Sequence, residues 1–148
     1  MYKKILVATD GSELANHAVE HGIGLASATG AEVVFVSVTE IWSALEIAGQ
    51  YEAGDLSAIP DYEAAAASSA AKILTDCAAR AEKANVASKT VHVPDRRPAD
   101  GIMETADKED CDLIVMATHG RRGVRKMLIG SQTAEVLALG TRPVLVLR

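Results

Sequence analysis

The sequence predicts a single α/β domain: an open sheet of five parallel strands with helices on both faces. Three observations predict it. Short runs rich in Val, Ile and Leu recur along the chain, and stretches of helical spacing separate them. Of the 148 residues 49% are hydrophobic but only 3% are aromatic, so Ala, Val, Leu and Ile must build the core. That composition suits helices packed on a sheet better than an aromatic-rich sandwich. The length is one domain's worth, enough to bury roughly two-thirds of the unfolded chain's surface.

Residues 5–9 form the first strand, and Asp10-Gly11-Ser12 is a turn that supplies a helix N-cap. The helix that follows, from about Ser12 to Thr29, buries Ala15, Val19, Gly22, Ile23 and Ala26 at helical spacing, and Gly30 suits its C-terminal cap. Residues 33–38 are almost wholly apolar, as a parallel strand covered on both faces requires. Residues 41–60 are the least regular part, with Gly49, Gly54 and Pro60 among scattered apolar side chains. An irregular connection of that length is expected to be a lid, an interface element or mobile.

Asp61 is placed to cap a long Ala-rich helix whose inner stripe is Ala67, Ala70, Leu74, Cys77, Ala81 and Ala84. Residues 88–93 make a weaker strand. Pro98 suits the first turn of a helix that runs to about Lys108. Residues 112–118 are a strand, 131–139 a helix ended by Gly140, and 144–147 the last strand after Pro143. The resulting order, βαβαβαβαβ, yields the parallel sheet.

A net charge of -5 and a pI near 5.3 argue against general nucleic-acid or anionic-membrane binding. Cys77 and Cys111 have no metal or redox spacing. The opening Met1-Tyr2-Lys3-Lys4-Ile5-Leu6-Val7 holds too short an apolar run for a signal peptide, and no stretch approaches the roughly 20 residues of a membrane span. The expectation is a soluble, cytoplasmic protein.

Against that acidic background Arg121-Arg122-Gly123-Val124-Arg125-Lys126 is conspicuously basic. It lies between Ala117-Thr118-His119-Gly120, which ends the fourth strand, and Gly130-Ser131-Gln132-Thr133, which opens a helix. Gly120 and Gly130 would let the backbone approach phosphates. Ser131 would act as N-cap and as hydroxyl donor at the positive end of the helix dipole. In open α/β sheets ligands bind beyond the carboxyl ends of the strands, where the order reverses. Ala8-Thr9-Asp10, after the first strand, and Met116–Gly120 would face one crevice if those strands are neighbours. Asp10 would then meet ribose hydroxyls or help hold a cation; an ordinary turn residue is the plainer account of it. His17-Ala18-Val19-Glu20-His21 matches the H-x-x-E-H string of some zinc hydrolases, but the helix would turn both histidines to water.

These residues carry a resemblance. From Ile5-Leu6-Val7-Ala8-Thr9-Asp10-Gly11-Ser12 to Arg142-Pro143-Val144-Leu145-Val146, the chain resembles the ATP-binding branch of the universal stress proteins. That branch's motif, Gly-x2-Gly-x9-Gly-Ser/Thr, reads here Ala117-x2-Gly120-x9-Gly130-Ser131. Ala117 for the first glycine departs from it, as do Gln132, where a small apolar residue is common, and Arg96-Arg97 before Pro98. The resemblance implies strand order 3-2-1-4-5. It implies that Ala8, Thr9, Asp10 and Val38 border adenine and ribose, that Met116, Ala117 and Gly120 continue the pocket, and that Gly130, Ser131, Gln132 and Thr133 hold the phosphates. Arg121 and its basic neighbours would compensate phosphate charge, and Asp10 would meet Mg through the bound nucleotide.

The function expected is a nucleotide-dependent regulator with ATP as its cofactor and little or no hydrolysis. No Walker Gly-x4-Gly-Lys-Ser/Thr and no Ser/His/Asp nucleophile set is present. A slow ATPase and a nucleotide-free interaction module remain the alternatives. The last strand, Val144–Leu147, would be a bare apolar edge. The resemblance implies that it pairs with its copy in a homodimer.

Overall fold

The computed structural model describes residues 1–40, 49, 52–54, 58–120 and 129–148. Most of the expected 41–60 lid and the whole basic stretch 121–126 lie outside the described residues. In chain order the elements are β1 (Lys4–Ala8), α1 (Glu13–Thr29), β2 (Glu32–Thr39), α2 (Ala58–Lys83), β3 (Ser88–Pro94), α3 (Pro98–Lys108), β4 (Leu113–Ala117), α4 (Ser131–Leu139) and β5 (Val144–Leu147). The strands form one sheet in the order β3-β2-β1-β4-β5, parallel throughout. The fold and the strand order are those expected.

Alternation along the strands divides the core. Ile5 and Val7, Val33 and Phe35, and Leu113 and Val115 face α1 and α2, against Val19, Ile23, Leu74 and Cys77. Leu6, Val34, Val36, Ile114 and Met116 face the other way, against Ala99, Ile102 and Ala106 of α3 and Val136 of α4. Both faces of the central strands are therefore dry, which is why their sequences are almost continuously apolar. Asp112 stitches the two central strands at their starts, its carboxylate accepting the Lys3 N–H at 2.8 Å and the Lys4 N–H at 3.2 Å.

The ends of α1 follow their residues. Ser12 is the N-cap and accepts the Ala15 N–H at 3.2 Å. Gly30 takes the left-handed conformation, φ 73°, that a C-cap asks for. Within the helix Gly22 lies so close to β1 that an added Cβ would collide with a Val7 methyl. Arg80 ties α2 to α1, donating to Asn16 Oδ1 and Glu20 Oε1, each at 3.2 Å.

Two details of α2 differ from expectation. Asp61 sits in the first helical turn instead of capping it, because helix is already present at Ala58 and Pro60 is compatible with a first turn. Its carboxylate still meets the positive end of the dipole. Ala67 is exposed while Ala70, Leu74, Cys77 and Ala81 are buried. The first part of α2 overhangs the ends of the strands, so its inner face looks into a cleft rather than onto the sheet.

Candidate functional site

The carboxyl ends of β1, β2 and β4 open into one cleft of about 560 Å³, bounded by the first half of α2 and by the start of α4. It lies where strand order reverses on either side of β1. Ala8, Thr9, Asp10, Val38, Met116, Ala117, Gly120, Gly130, Ser131, Gln132 and Thr133 all line it. Arg121 lies outside the described residues.

The β1 side is a self-braced turn. The Thr9 N–H donates to Val36 O at 2.9 Å, prolonging the pairing with β2. Thr9 Oγ1 accepts the Gly11 N–H at 3.2 Å, and Asp10 Oδ1 accepts the Ser12 N–H at 3.0 Å. Gly11 has φ 76°, which permits the turn. The brace directs the Asp10 carboxylate across the cleft: a Cβ on Gly120 would stand 2.6 Å from its Oδ2. Asp10 and the end of β4 therefore share one crevice.

The β4 side is fastened to α4. The Gly130 N–H donates to Thr118 O at 2.8 Å, and Thr133 Oγ1 donates to the carbonyls of Ala117 and Thr118 at 3.0 and 3.1 Å. Thr133 is only 2% exposed, so its hydroxyl serves the fold and not an incoming phosphate. Gly130, not Ser131, is the N-cap of α4, with φ -71° and ψ 158° and no side-chain cap hydrogen bond. A side chain at this cap position is excluded sterically, since a Cβ at 130 would lie 2.9 Å from Thr118 O. Ser131 becomes the first helical residue. Among the described residues no side chain caps the first-turn N–H groups of α4, which stand beside an open cleft at the positive end of the dipole. Gly120 and Gly130 both owe their lack of a side chain to contacts inside the protein, with Asp10 and Thr118.

Gln132 caps a different helix. Arg97, the N-cap of α3, offers no side-chain cap bond, and Gln132 Oε1 accepts the Ala99 N–H at 3.0 Å in its place. Arg97 is paired instead with Glu135 of α4, at 3.0 and 2.5 Å. His119 Nδ1 lies 3.2 Å from Thr118 Oγ1, while its Nε2 is buried with no hydrogen-bond partner among the described residues. His17 and His21 are exposed on α1, and no group of three or more His, Cys, Asp or Glu among the described residues is placed to hold a metal ion.

Part of the lining is not singled out by sequence reasoning. Ser37, Thr39 and Glu40 continue β2 along the cleft, and Thr39 Oγ1 lies 2.9 Å from His92 Nε2 on β3. Tyr62, Ala65, Ala66, Ser69 and Ile73 form the α2 wall, beside Ala70 of the expected stripe. Their three-and-four spacing is present in the sequence, displaced around the helix from the stripe that packs on the sheet.

Comparison with known proteins bears on this cleft. The family model described as "Universal stress protein family" matches residues 1–148. Universal stress protein MJ0531 of Methanocaldococcus jannaschii is 33% identical over 150 residues, covering 100% of this chain and 83% of that protein. Universal stress protein YxiE of Bacillus subtilis is 27% identical over 150 residues, covering 100% of both. Among solved structures, hypothetical protein MJ0577 superposes with a TM-score of 0.82 at 28% identity, covering 99% of this chain and 96% of its own. A universal stress protein in complex with cAMP has a TM-score of 0.68 at 24% identity, covering 99% and 97%. One from Archaeoglobus fulgidus in complex with dAMP has 0.68 at 19%, covering 99% and 98%.

Proposed function

The chain belongs to the universal stress protein family, and from that premise we propose that it binds ATP in the cleft between β1 and β4 and acts as a nucleotide-dependent regulator. The observation that carries this reading is the start of α4. A helix without a side-chain cap presents its first-turn donors to a cleft whose volume lies within the usual range for small-molecule sites. Two fold relatives hold an adenine nucleotide, but at under 25% identity they speak for the fold alone. The cleft itself must carry the argument.

In this reading the phosphates lie against Gly130, Ser131 and the N–H groups of residues 131–133. Asp10, on the neighbouring strand, meets the ribose, and Val38, one strand further, borders the base. Arg121 compensates phosphate charge. A Mg ion arrives with the phosphates and reaches Asp10 through them. Ala117 does not argue against binding: it is only 8% exposed, so its extra methyl takes little of the open cleft. The function is binding rather than turnover, in the cytoplasm, by a homodimer joined along β5.

Retained ligand tests it directly. Freshly purified protein, denatured and cleared, is expected to release ATP detectable by mass spectrometry, and stripped protein to bind ATP in titration calorimetry. Empty protein that also gives no heat would make it an interaction module instead. Phosphate release under Mg²⁺ that Asp10→Ala abolishes would make it a slow ATPase.

A further inference from the structure

The cleft has a second polar end, away from α4. Thr39 closes β2 there, two strands from β4 in the sheet, or about 10 Å at ordinary strand spacing. With phosphates at α4 this end receives the base, so the inference rests on the adenine-nucleotide reading above. Along β2 the odd-numbered residues face α1 and α2, which puts Thr39 on that side of the sheet. His92, beside it on β3, is on the same side, and its Nε2 lies 2.9 Å from Thr39 Oγ1. Both side chains are partly buried, and Thr39 Oγ1 has no other hydrogen-bond partner among the described residues. The histidine bond is therefore what orients the hydroxyl.

A hydroxyl carries one proton and two lone pairs. If the proton points to Nε2, only lone pairs remain for a ligand. We propose that His92 Nε2 accepts the Thr39 proton and so fixes Thr39 Oγ1 as a hydrogen-bond acceptor at the base end, selecting a purine with an amino group at C6 over one with a carbonyl. A 6-oxo purine would set its own lone pairs against those of Oγ1, and neither oxygen could donate. His92 is not among the residues lining the cleft. It acts through Thr39, as a positioning residue.

The test compares ATP with ITP, which differ at C6 and the adjacent N1, by titration of the full chain and its variants. The chain itself is expected to favour ATP by about tenfold, the worth of one hydrogen bond made against one lost. Thr39→Val keeps the shape and should bring the ratio close to one, chiefly by weakening ATP. His92→Phe should do the same, while His92→Gln, which sets an amide oxygen near the place of Nε2, should restore most of the preference. A merely structural His92 would show no such rescue, and melting curves confirm that each variant is folded. An unchanged ratio in Thr39→Val, a preference for ITP in the unaltered chain, or His92→Gln no better than His92→Phe overturns the proposal. ATP binding with an unchanged ratio defeats this inference alone; no binding of either nucleotide defeats the reading beneath it as well.

Discussion

Two glycines flank the cleft, and the same substitution has a different consequence at each. A Cβ at 120 meets the end of the Asp10 side chain at 2.6 Å, whereas a Cβ at 130 meets the backbone oxygen of Thr118 at 2.9 Å. A carboxylate can rotate away, and the Thr118 carbonyl, in a peptide segment bonded to both Leu147 and Gly130, cannot. Gly120→Ala is therefore expected to leave the urea midpoint almost unchanged while weakening ATP about tenfold, because the displaced Asp10 no longer faces the ribose. Gly130→Ala should cost about 1–3 kcal/mol of stability, read as a lower urea midpoint. Equal stability losses in the two variants would refute the distinction. Residue pattern alone reached part of this scale. The spacing Ala117-x2-Gly120-x9-Gly130 and the turn at Asp10 were legible because each uses short-range backbone chemistry. The side-chain roles of Gln132 and Thr133 were not. Gln132 supplies a cap that Arg97 fails to give α3, and Thr133 reaches back to two carbonyls of β4 and its extension, both dependent on which elements meet in space.

Among elements, the approach of helix to sheet ties the core to the site. Gly101 of α3 lies where a Cβ would stand 2.8 Å from both methyls of Val38, and Val38 lines the cleft. Gly101→Ala should therefore lower stability by about 1–3 kcal/mol and also weaken nucleotide binding, though residue 101 lines no part of the cleft. Lost stability with unchanged affinity would show that Val38 yields away from the ligand. The two cysteines test the same packed layers. Burial pushes the thiols of Cys77 and Cys111 up to about 11, one on the inner face of α2 and the other beside α3. A thiol reagent at pH 8 should leave both untouched in the native protein and modify both in denaturant. Since the unfolded thiols ionise first, stability should fall as pH rises from about 9 towards 11. Rapid native labelling would show an open core. The alternation of strands and helices was readable because parallel strands and amphipathic helices leave different periods in the sequence. The overhang of α2 was not, because it depends on where the sheet stops.

At the scale of the whole molecule the sheet has two edges, and they are protected unequally. The β3 edge carries Lys89, paired with Glu109 at 2.7 Å, and ends in Pro94, both features that discourage pairing with another chain. The β5 edge, Val144-Leu145-Val146-Leu147, has neither charge nor proline, and Leu145 is 38% exposed. Leu137 and Leu139 of the preceding helix are exposed too, at 45% and 65%. An apolar, unguarded edge is expected to be covered, and the self-complementary solution is a second copy pairing along β5. Light scattering at micromolar concentration should give a dimer, and Leu145→Lys should give a folded monomer. The edge also adjoins the cleft, because the Thr118 N–H donates to Leu147 O at 2.8 Å, and Thr118 O in turn receives the Gly130 N–H at the start of α4. Binding at that start and pairing at β5 therefore act on one hydrogen-bonded segment. By linkage, any factor by which ATP tightens the dimer must equal the factor by which dimerisation tightens ATP. The dimer constant is expected to change in saturating ATP, and the Leu145→Lys monomer to bind ATP more weakly or more tightly in the matching sense. A dimer constant indifferent to ATP would leave edge and cleft as independent features, and the unaltered chain monomeric at these concentrations would remove the dimer altogether.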